Sequence, residues 1–463
     1  MTLIRSISGI RGTIGGQPGE GLSPADIVKY TAAFAAFIKI SRGNNRPRFV
    51  IGRDARISGE MVNHIVVGTL LGSGADVIDL GLSTTPTVEI ALTGLQADAG
   101  IILTASHNPK QWNALKLLNN LGEFISAEEG AEVLALAENE KYSFSGVDGL
   151  GTYSRDDSWI AKHIEQILAL PLVNREAIKK AGYHIVIDAV NSTGGIALPM
   201  LLHALGVKKV TELNCIADGH FAHNPEPLPE NLKDISQLVV KAKADLGFVV
   251  DPDVDRLAIV CQDGEMFGEE YTLVAVADYV LKHQPGNTVS NMSSTRALRD
   301  ITEKSGASYF ASAVGEVNVV EMMKAQHAVI GGEGNGGIIY PELHYGRDSL
   351  VGIALFLSHL ATSGKNCTAL RYAYPSYFIS KNKITLSPEM DVDSILKRIA
   401  EKYHKQPVST VDGVKIEFDK EWVHLRKSNT EAIIRIYSES DTMSKAEVLA
   451  RKIMVDIGNI LKD

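Results

Sequence analysis

One repeating alternation limits how this chain can fold. A short apolar run is followed by a loop of Gly, Asp, Asn or Ser, and then by a helical pattern. Arg48-Phe-Val-Ile-Gly52 is such a run, followed by the polar loop Arg53-Asp-Ala-Arg-Ile-Ser58 and a predicted helix over about 59–72. The strand patterns continue at 76–80 and 100–104, then at 184–188, 209–213, 246–250 and 328–331. Strands alternating with helices predict α/β units with mainly parallel sheets. In such sheets the chemistry gathers in loops at the carboxyl ends of strands.

The last 90 or so residues break the pattern. A helix is expected over 391–405, a turn at Asp412-Gly413, alternating strands at 414–418 and 432–438, and an amphipathic helix over 444–462. That is an α+β module with antiparallel strands. The fold expected is therefore three similar α/β domains plus a C-terminal α+β domain. The expected parts are 1–150, carrying a serine loop, 151–256, carrying an acidic loop, 257–370, carrying a Gly-rich loop, and 371–463. A length of 463 residues accommodates several cores.

Composition excludes some functions. With 55 acidic against 46 basic residues the formal charge is -9, a poor balance for gripping a phosphate backbone, so no nucleic-acid partner is expected. An anionic substrate would need a local cluster of cations. Cys215, Cys261 and Cys367 lie far apart, without the spacing of a zinc site or a disulfide framework. The first residues lack a signal-peptide pattern, and no apolar run approaches the ~20 residues of a membrane span. A cytoplasmic protein without a membrane partner is expected.

Four segments carry chemistry. Asp251-Pro-Asp253-Val-Asp255-Arg256 directly follows an apolar strand. Three carboxylates so close repel one another unless a cation neutralises them, and oxygen ligands suit Mg²⁺. An apolar strand ending in Asp-x-Asp also fits a phosphatase with an Asp nucleophile, although the third Asp and the Arg argue against it. Thr104-Ala-Ser106-His107-Asn108-Pro109 places a serine beside an imidazole at a strand end, with Lys116 a few residues on. Alone, that segment fits a simple turn with an Asn-Pro stop better than a catalytic serine. Gly331-Gly-Glu333-Gly-Asn335-Gly-Gly337 offers donors and acceptors suited to sugar hydroxyls, and alone it fits a plain tight turn as well. Arg426-Lys-Ser428-Asn429-Thr430-Glu431, with Arg435, surrounds a turn between strands and suits a phosphate, but alone it fits an ordinary basic surface turn as well.

Together with Ser8-Gly-Ile-Arg-Gly12, Gly52-Arg-Asp54 and Val314-Gly-Glu316, these segments resemble the α-D-phosphohexomutase family along essentially the whole chain. That family includes phosphoglucomutases, phosphomannomutases and phosphoglucosamine mutases. The resemblance implies four domains around a central cleft and an intramolecular phosphotransferase. Ser106 would carry the phosphoryl group, and with Asp251, Asp253 and Asp255 would ligate Mg²⁺. Arg11 and His107 would steady that group, Lys116 would exchange a proton, and Arg256 would lie near the reacting oxygens. Glu333 and Asn335 would read the sugar; Arg426, Ser428, Asn429, Thr430 and Arg435 would clamp the distal phosphate.

The expected reaction interconverts hexose 6-phosphate and hexose 1-phosphate through a hexose 1,6-bisphosphate, with glucosamine phosphate favoured. The alternatives are a phosphoglucomutase or phosphomannomutase, a non-catalytic sugar-phosphate-binding protein of the same fold, and a dedicated phosphatase. A monomer or homodimer handling a small sugar phosphate is expected. Departures from the family pattern are Gly337 where many bacterial members have histidine, Trp112-Asn113-Ala114 for Tyr-Asn-Gly, and Ala432 for proline. Asn335 stands where serine is frequent.

Overall fold

The computed structural model describes residues 1–6, 9–386, 391–427 and 433–460. The chain forms two compact units, Met1–Tyr279 with Asn335–Leu370, and Val280–Gly334 with Arg371–Asp463. The expected third part, 257–370, is thus shared between the two.

The first unit contains a seven-stranded mixed sheet. Its order is Leu3–Ser6, Gly9–Thr13, Trp112–Leu118, Ala99–Leu103, Arg48–Arg53, Asp76–Leu82, Tyr153–Arg155. The last four run parallel, while Trp112–Leu118 pairs antiparallel with both of its neighbours. That antiparallel insertion was not expected from the sequence, and it carries Lys116. Ala99–Leu103 is buried along its length, as a strand covered on both faces should be. Ser23 and Asp26 form a capping box that starts the helix Pro24–Arg42, and Gly43 ends it at φ 61°. This helix brings Phe34 edge-on against Phe49 of the sheet, ring centroids 5.7 Å apart.

A second sheet in this unit is ordered Leu257–Cys261, Leu246–Val250, His184–Asp188, Lys209–Leu213. Leu246–Val250 runs parallel to His184–Asp188 and antiparallel to Leu257–Cys261, with Val250 opposite Leu257. The acidic segment 251–256 is therefore the loop of a hairpin, and the expected boundary at 256 falls inside it.

In the second unit, Tyr309–Ser312, Thr288–Asn291 and Ile330–Glu333 are parallel neighbours. The C-terminal sheet is antiparallel, ordered Phe378–Thr385, Ile433–Ser440, Trp422–Lys427, Val414–Glu417, Val408–Ser409. The helices Val392–Lys402 and Met443–Ile460 bury Ile395, Ile399, Ile453 and Ile457 against Val423, Leu425, Ile434 and Ile436. Fold class agrees with the expectation: α/β sheets followed by an α+β module. Among the described residues no helix is long and apolar enough to cross a membrane.

Candidate active site

Ser106 follows the strand Ala99–Leu103 with φ 47°, a left-handed conformation that costs a residue with a Cβ and must be held by its surroundings. The holding groups are buried. The Ser106 amide donates to Thr104 Oγ1 at 2.9 Å, and Thr104 Oγ1 donates to Asp54 Oδ2 at 2.6 Å. Arg56, 1% exposed, binds Asp54 through Nε at 2.9 Å. Its remaining N–H groups donate to the carbonyls of Ser106, Asn108 at 2.7 Å, Pro109 at 2.9 Å and Trp112 at 3.0 Å. One guanidinium fork thus fixes the whole serine loop, a task suited to a rigid planar donor set.

The acidic loop is braced from other elements. Pro252 O accepts from Ser192 Oγ at 2.7 Å and Thr193 Oγ1 at 2.8 Å, while Ser192 Oγ accepts from the Ala55 amide at 3.2 Å. Ser192 therefore ties the acidic loop to the loop that carries Asp54 and Arg56. Thr85 opens the helix Thr85–Gly94; its amide donates to Asp253 O at 2.9 Å and its hydroxyl to Asp253 Oδ2 at 2.7 Å. Arg347 Nη2 donates to Asp255 Oδ2 at 2.7 Å. Sequence reasoning left out Arg56, Thr85, Ser192, Thr193 and Arg347. Only the Asp54-Ala-Arg56 charges directly after a buried strand gave a signal.

These braces bring the two loops together. Ser106 Oγ donates to Asp251 Oδ2 at 2.7 Å and lies 3.2 Å from His107 Nδ1. Lys116 Nζ lies 2.8 Å from Asp253 Oδ2 and 3.7 Å from Asp255 Oδ2. Arg256 Nε is 3.9 Å from Asp255 Oδ1, and its backbone amide donates to Asp251 Oδ1 at 3.2 Å. Arg11 stands opposite Ala114, on the sheet face that also carries Lys116. Ser106, His107, Lys116, Arg256 and the three aspartates are thus one cluster, with Arg11 on the adjoining sheet face.

Electrostatics follow from burial. Asp251, Asp253 and Asp255 are all 0% exposed. Burial and the other two carboxylates push Asp251 well above the usual carboxylate range. Burial acts the same way on Asp253, but Lys116 and the Thr85 hydroxyl outweigh it and hold that carboxyl below its usual range. Burial also lowers His107, with Arg256 adding to it, to about 2, so the ring is neutral. Lys116 is raised: burial works against its charge, and Asp253 and Asp255 prevail.

One oxygen from each aspartate lies within 4.8 Å of those of the other two. Asp253 Oδ1 and Asp255 Oδ1 are buried and accept no hydrogen bond. Buried carboxylate oxygens left bare among like charges are what a hard divalent cation satisfies, so the residues fit Mg²⁺.

The remaining candidates lie on other elements. Glu333 ends the strand Ile330–Glu333, 4% exposed, and its Oε1 accepts from Asn291 Nδ2 at 2.9 Å and the Gly315 amide at 3.2 Å. Asn335 Oδ1 accepts from the Gly337 amide at 3.2 Å. At Gly336, φ is +83° and a Cβ would come within 2.3 Å of Leu257 O, so the loop turns where only glycine fits. Arg435 lies in a strand, as expected, and Arg426, directly opposite it, is a strand residue and not a turn residue; Lys383 stands opposite Arg435 on its other side. Arg426 Nε contacts Asp412 Oδ2 at 2.8 Å. Ser428, Asn429 and Thr430 lie outside the described residues, as do Ser8 and Ala432.

The sequence matches, in order, phosphoglucomutase/phosphomannomutase alpha/beta/alpha domain I over residues 3–143, domain II over 161–264, domain III over 268–377 and the C-terminal domain over 383–454. A phosphoglucomutase/phosphomannomutase of Thermococcus kodakarensis is 37% identical over 441 residues, covering 94% of this chain and 95% of the relative. A phosphoglucosamine/phosphogalactosamine mutase of Sulfurisphaera tokodaii is 32% identical, covering 96% of this chain and 97% of its own. A crystal structure of a phosphoglucomutase/phosphomannomutase family protein from Burkholderia thailandensis shares the fold, with a TM-score of 0.85 at 24% identity, covering 99% and 97% of the two chains. Four matched domains in family order, and relatives matched nearly end to end, make this chain a member of the α-D-phosphohexomutase family of intramolecular phosphotransferases.

Proposed function

We propose that this phosphohexomutase interconverts glucosamine 6-phosphate and glucosamine 1-phosphate through a phosphorylated Ser106. The observation that carries the serine's role is its 2.7 Å hydrogen bond to Asp251, inside a buried carboxylate cluster that still has bare oxygens. Asp251, Asp253 and Asp255 would hold Mg²⁺ with a phosphoserine oxygen. When bound, the ion offsets negative charge on the transferring group.

The chain's own residues do the rest. Phosphoserine gives its phosphoryl group to the free sugar hydroxyl, forming a hexose 1,6-bisphosphate, and the proton that hydroxyl loses replaces the one the serine oxygen takes up, with Lys116 giving a proton to the serine oxygen and receiving one from the sugar. The bisphosphate turns about in the site, and its other phosphoryl group returns to Ser106. Lys116 is the proposed proton carrier; Asp253 keeps it as the ammonium, the form that can protonate an oxygen losing its phosphoryl group. Arg11, neutral His107 and Arg256 orient the phosphoryl oxygens. Glu333 and Asn335 read the sugar, and Arg426, Ser428, Asn429, Thr430 and Arg435 hold the phosphate that is not reacting. In this scheme the serine loop, the acidic loop, the Gly-rich loop and the arginine segment belong in turn to the parts 1–150, 151–256, 257–370 and 371–463, although the hairpin at 246–261 spans the second boundary.

Relatives named phosphoglucosamine mutase, 30–32% identical, support the amino sugar. The 37% identity to a phosphoglucomutase/phosphomannomutase favours a second reading, glucose or mannose phosphate as the preferred pair. Coupled assays of all three hexose 6-phosphates decide it: glucosamine 6-phosphate should have the highest kcat/KM. A higher value for glucose or mannose phosphate selects the second reading. Steady release of inorganic phosphate without isomerised sugar would overturn both.

A further inference from the structure

Behind the carboxylate cluster, in the same unit, lies a chain of buried ionisable groups that the mechanism does not use. Asp348 caps the helix Ser349–Ser363, its Oδ1 accepting from the Leu350 amide at 2.8 Å and the Val351 amide at 3.3 Å. Its Oδ2 faces two rings, His163 Nε2 at 3.0 Å and His344 Nε2 at 3.4 Å. The far nitrogen of His344 lies 3.3 Å from Glu89 Oε2. That of His163 lies 2.9 Å from Thr87 Oγ1. Glu89 and Thr87 both belong to the helix Thr85–Gly94, so the network leaves that helix at one point and returns to it at another.

Both segments joined in this way end at the carboxylate cluster. Thr85, one turn before Glu89, holds Asp253 by a 2.7 Å hydrogen bond. Arg347, next to Asp348, holds Asp255 at 2.7 Å, and the Ser349 amide donates to Val254 O at 3.3 Å. We propose that His344 is a positioning residue for the metal site: clamped between Glu89 and Asp348, it locks the Thr85 helix to the 347–349 segment and so sets the spacing of Asp253 and Asp255.

Charge supports this. Glu89 and Asp348 are buried at 1% and 0% exposure, and two buried carboxylates beside one ring need a cation between them. Burial works against charge on His344, but Asp348 and Glu89 outweigh it and raise its pKa to about 10. Space is tight too: a Cβ on Gly346 would lie 1.9 Å from Glu89 Oε2. Mg²⁺ demands near-ideal ligand geometry, so a small drift of either segment should register in metal affinity.

This inference rests on the metal reading above, and the experiment separates the two. Mn²⁺ is titrated into the full-length protein without sugar phosphate, and binding is followed by calorimetry and by electron paramagnetic resonance. The wild-type chain should bind one ion. His344→Gln should weaken Kd about tenfold while remaining folded by circular dichroism, and His344→Lys, which restores a cation, should recover most of the loss. A purely structural histidine would lower the unfolding temperature in His344→Gln and leave Kd alone; a Kd within twofold of wild type overturns the proposal. If His344→Gln does not fold, Glu89→Gln decides. It keeps the side chain's size, should weaken Kd severalfold, and overturns the proposal if Kd is unchanged. A wild-type chain that binds no Mn²⁺ refutes the metal reading itself and takes this inference with it.

Discussion

Two regions of this molecule gather positive charge, and they do so in opposite ways. In the first unit, Lys116, Arg256 and Arg347 are mostly buried and face three carboxylates in the same cluster. Each cation already has a carboxylate partner before any ligand arrives, while Asp253 Oδ1 and Asp255 Oδ1 still accept no hydrogen bond. In the second unit, Lys383, Arg435 and Arg426 stand side by side on three neighbouring strands, and Asp412 is the carboxylate in contact with Arg426. Like charges directly opposite one another destabilise a sheet, so this row gains when an anion lies across it. On the proposed scheme, the buried cluster fixes geometry for a reaction, and the row, with Lys383 and Arg435 exposed and Arg426 half-buried, attracts and releases an anion.

Four variants test that contrast, beginning with the largest effect. Ser106→Ala removes the proposed phosphoryl acceptor and should lower kcat at least about a thousandfold. The purified protein should also lose a mass of about 80 Da corresponding to one phosphoryl group. Near-normal turnover in this variant would end the phosphoserine scheme.

Next is Arg56→Met. Asp54, 0% exposed, would lose its guanidinium partner, and breaking a buried pair costs about 3–5 kcal/mol. The serine loop would also lose the donors to its carbonyls. A clear fall in the urea midpoint is expected, together with a slower reaction. An unchanged midpoint would show that the buried region is not held by charge as argued.

The exposed region should respond differently. Arg426→Gln/Arg435→Gln should lower kcat/KM on the order of a hundredfold, since two charge-assisted hydrogen bonds contribute about 3 kcal/mol or more. Unfolding and Mn²⁺ binding should stay near wild type. If metal affinity falls as well, the two regions are not independent and the contrast fails.

The contrast also explains what was legible in the sequence. Loops after buried strands can be read directly, because an apolar run such as Leu246-Gly-Phe-Val-Val250 ending in acidic residues announces both the strand and the site. Ser106, Lys116 and the three aspartates come out of that logic combined with family resemblance. What escaped depends on pairing between distant segments. Trp422–Lys427 has histidine and arginine at alternate positions that mask its strand pattern, so Arg426 looked like part of a turn. Lys383 was invisible as a site residue because only the register with Arg435 places it in the row. Thr85, Ser192 and Arg347 act through contacts across about 60 to 170 positions of sequence, which no local pattern encodes.

Lys383 gives the smallest and most discriminating effect. It is exposed, its neighbour across the strands is Arg435, and it lies outside every motif that the resemblance covers. An exposed charge contributes little through any single contact, so Lys383→Gln should lower kcat/KM by no more than about threefold. Its mark should instead be in the dependence on salt. Raising ionic strength from about 0.01 M to about 0.1 M shortens the screening length from ~30 Å to ~10 Å. An exposed row that draws in an anionic sugar phosphate should lose part of its pull over that range, so wild-type kcat/KM should fall with added salt. With one of three cations removed, the fall should be shallower in Lys383→Gln than in wild type. The buried cluster is far less open to screening, so Mn²⁺ affinity should change by the same factor with salt in both proteins. Equal salt slopes for kcat/KM would mean that Lys383 does not act with the two arginines, and the row would shrink to Arg426 and Arg435. A steeper slope in the variant would reverse the assignment of the exposed sheet as the attracting surface.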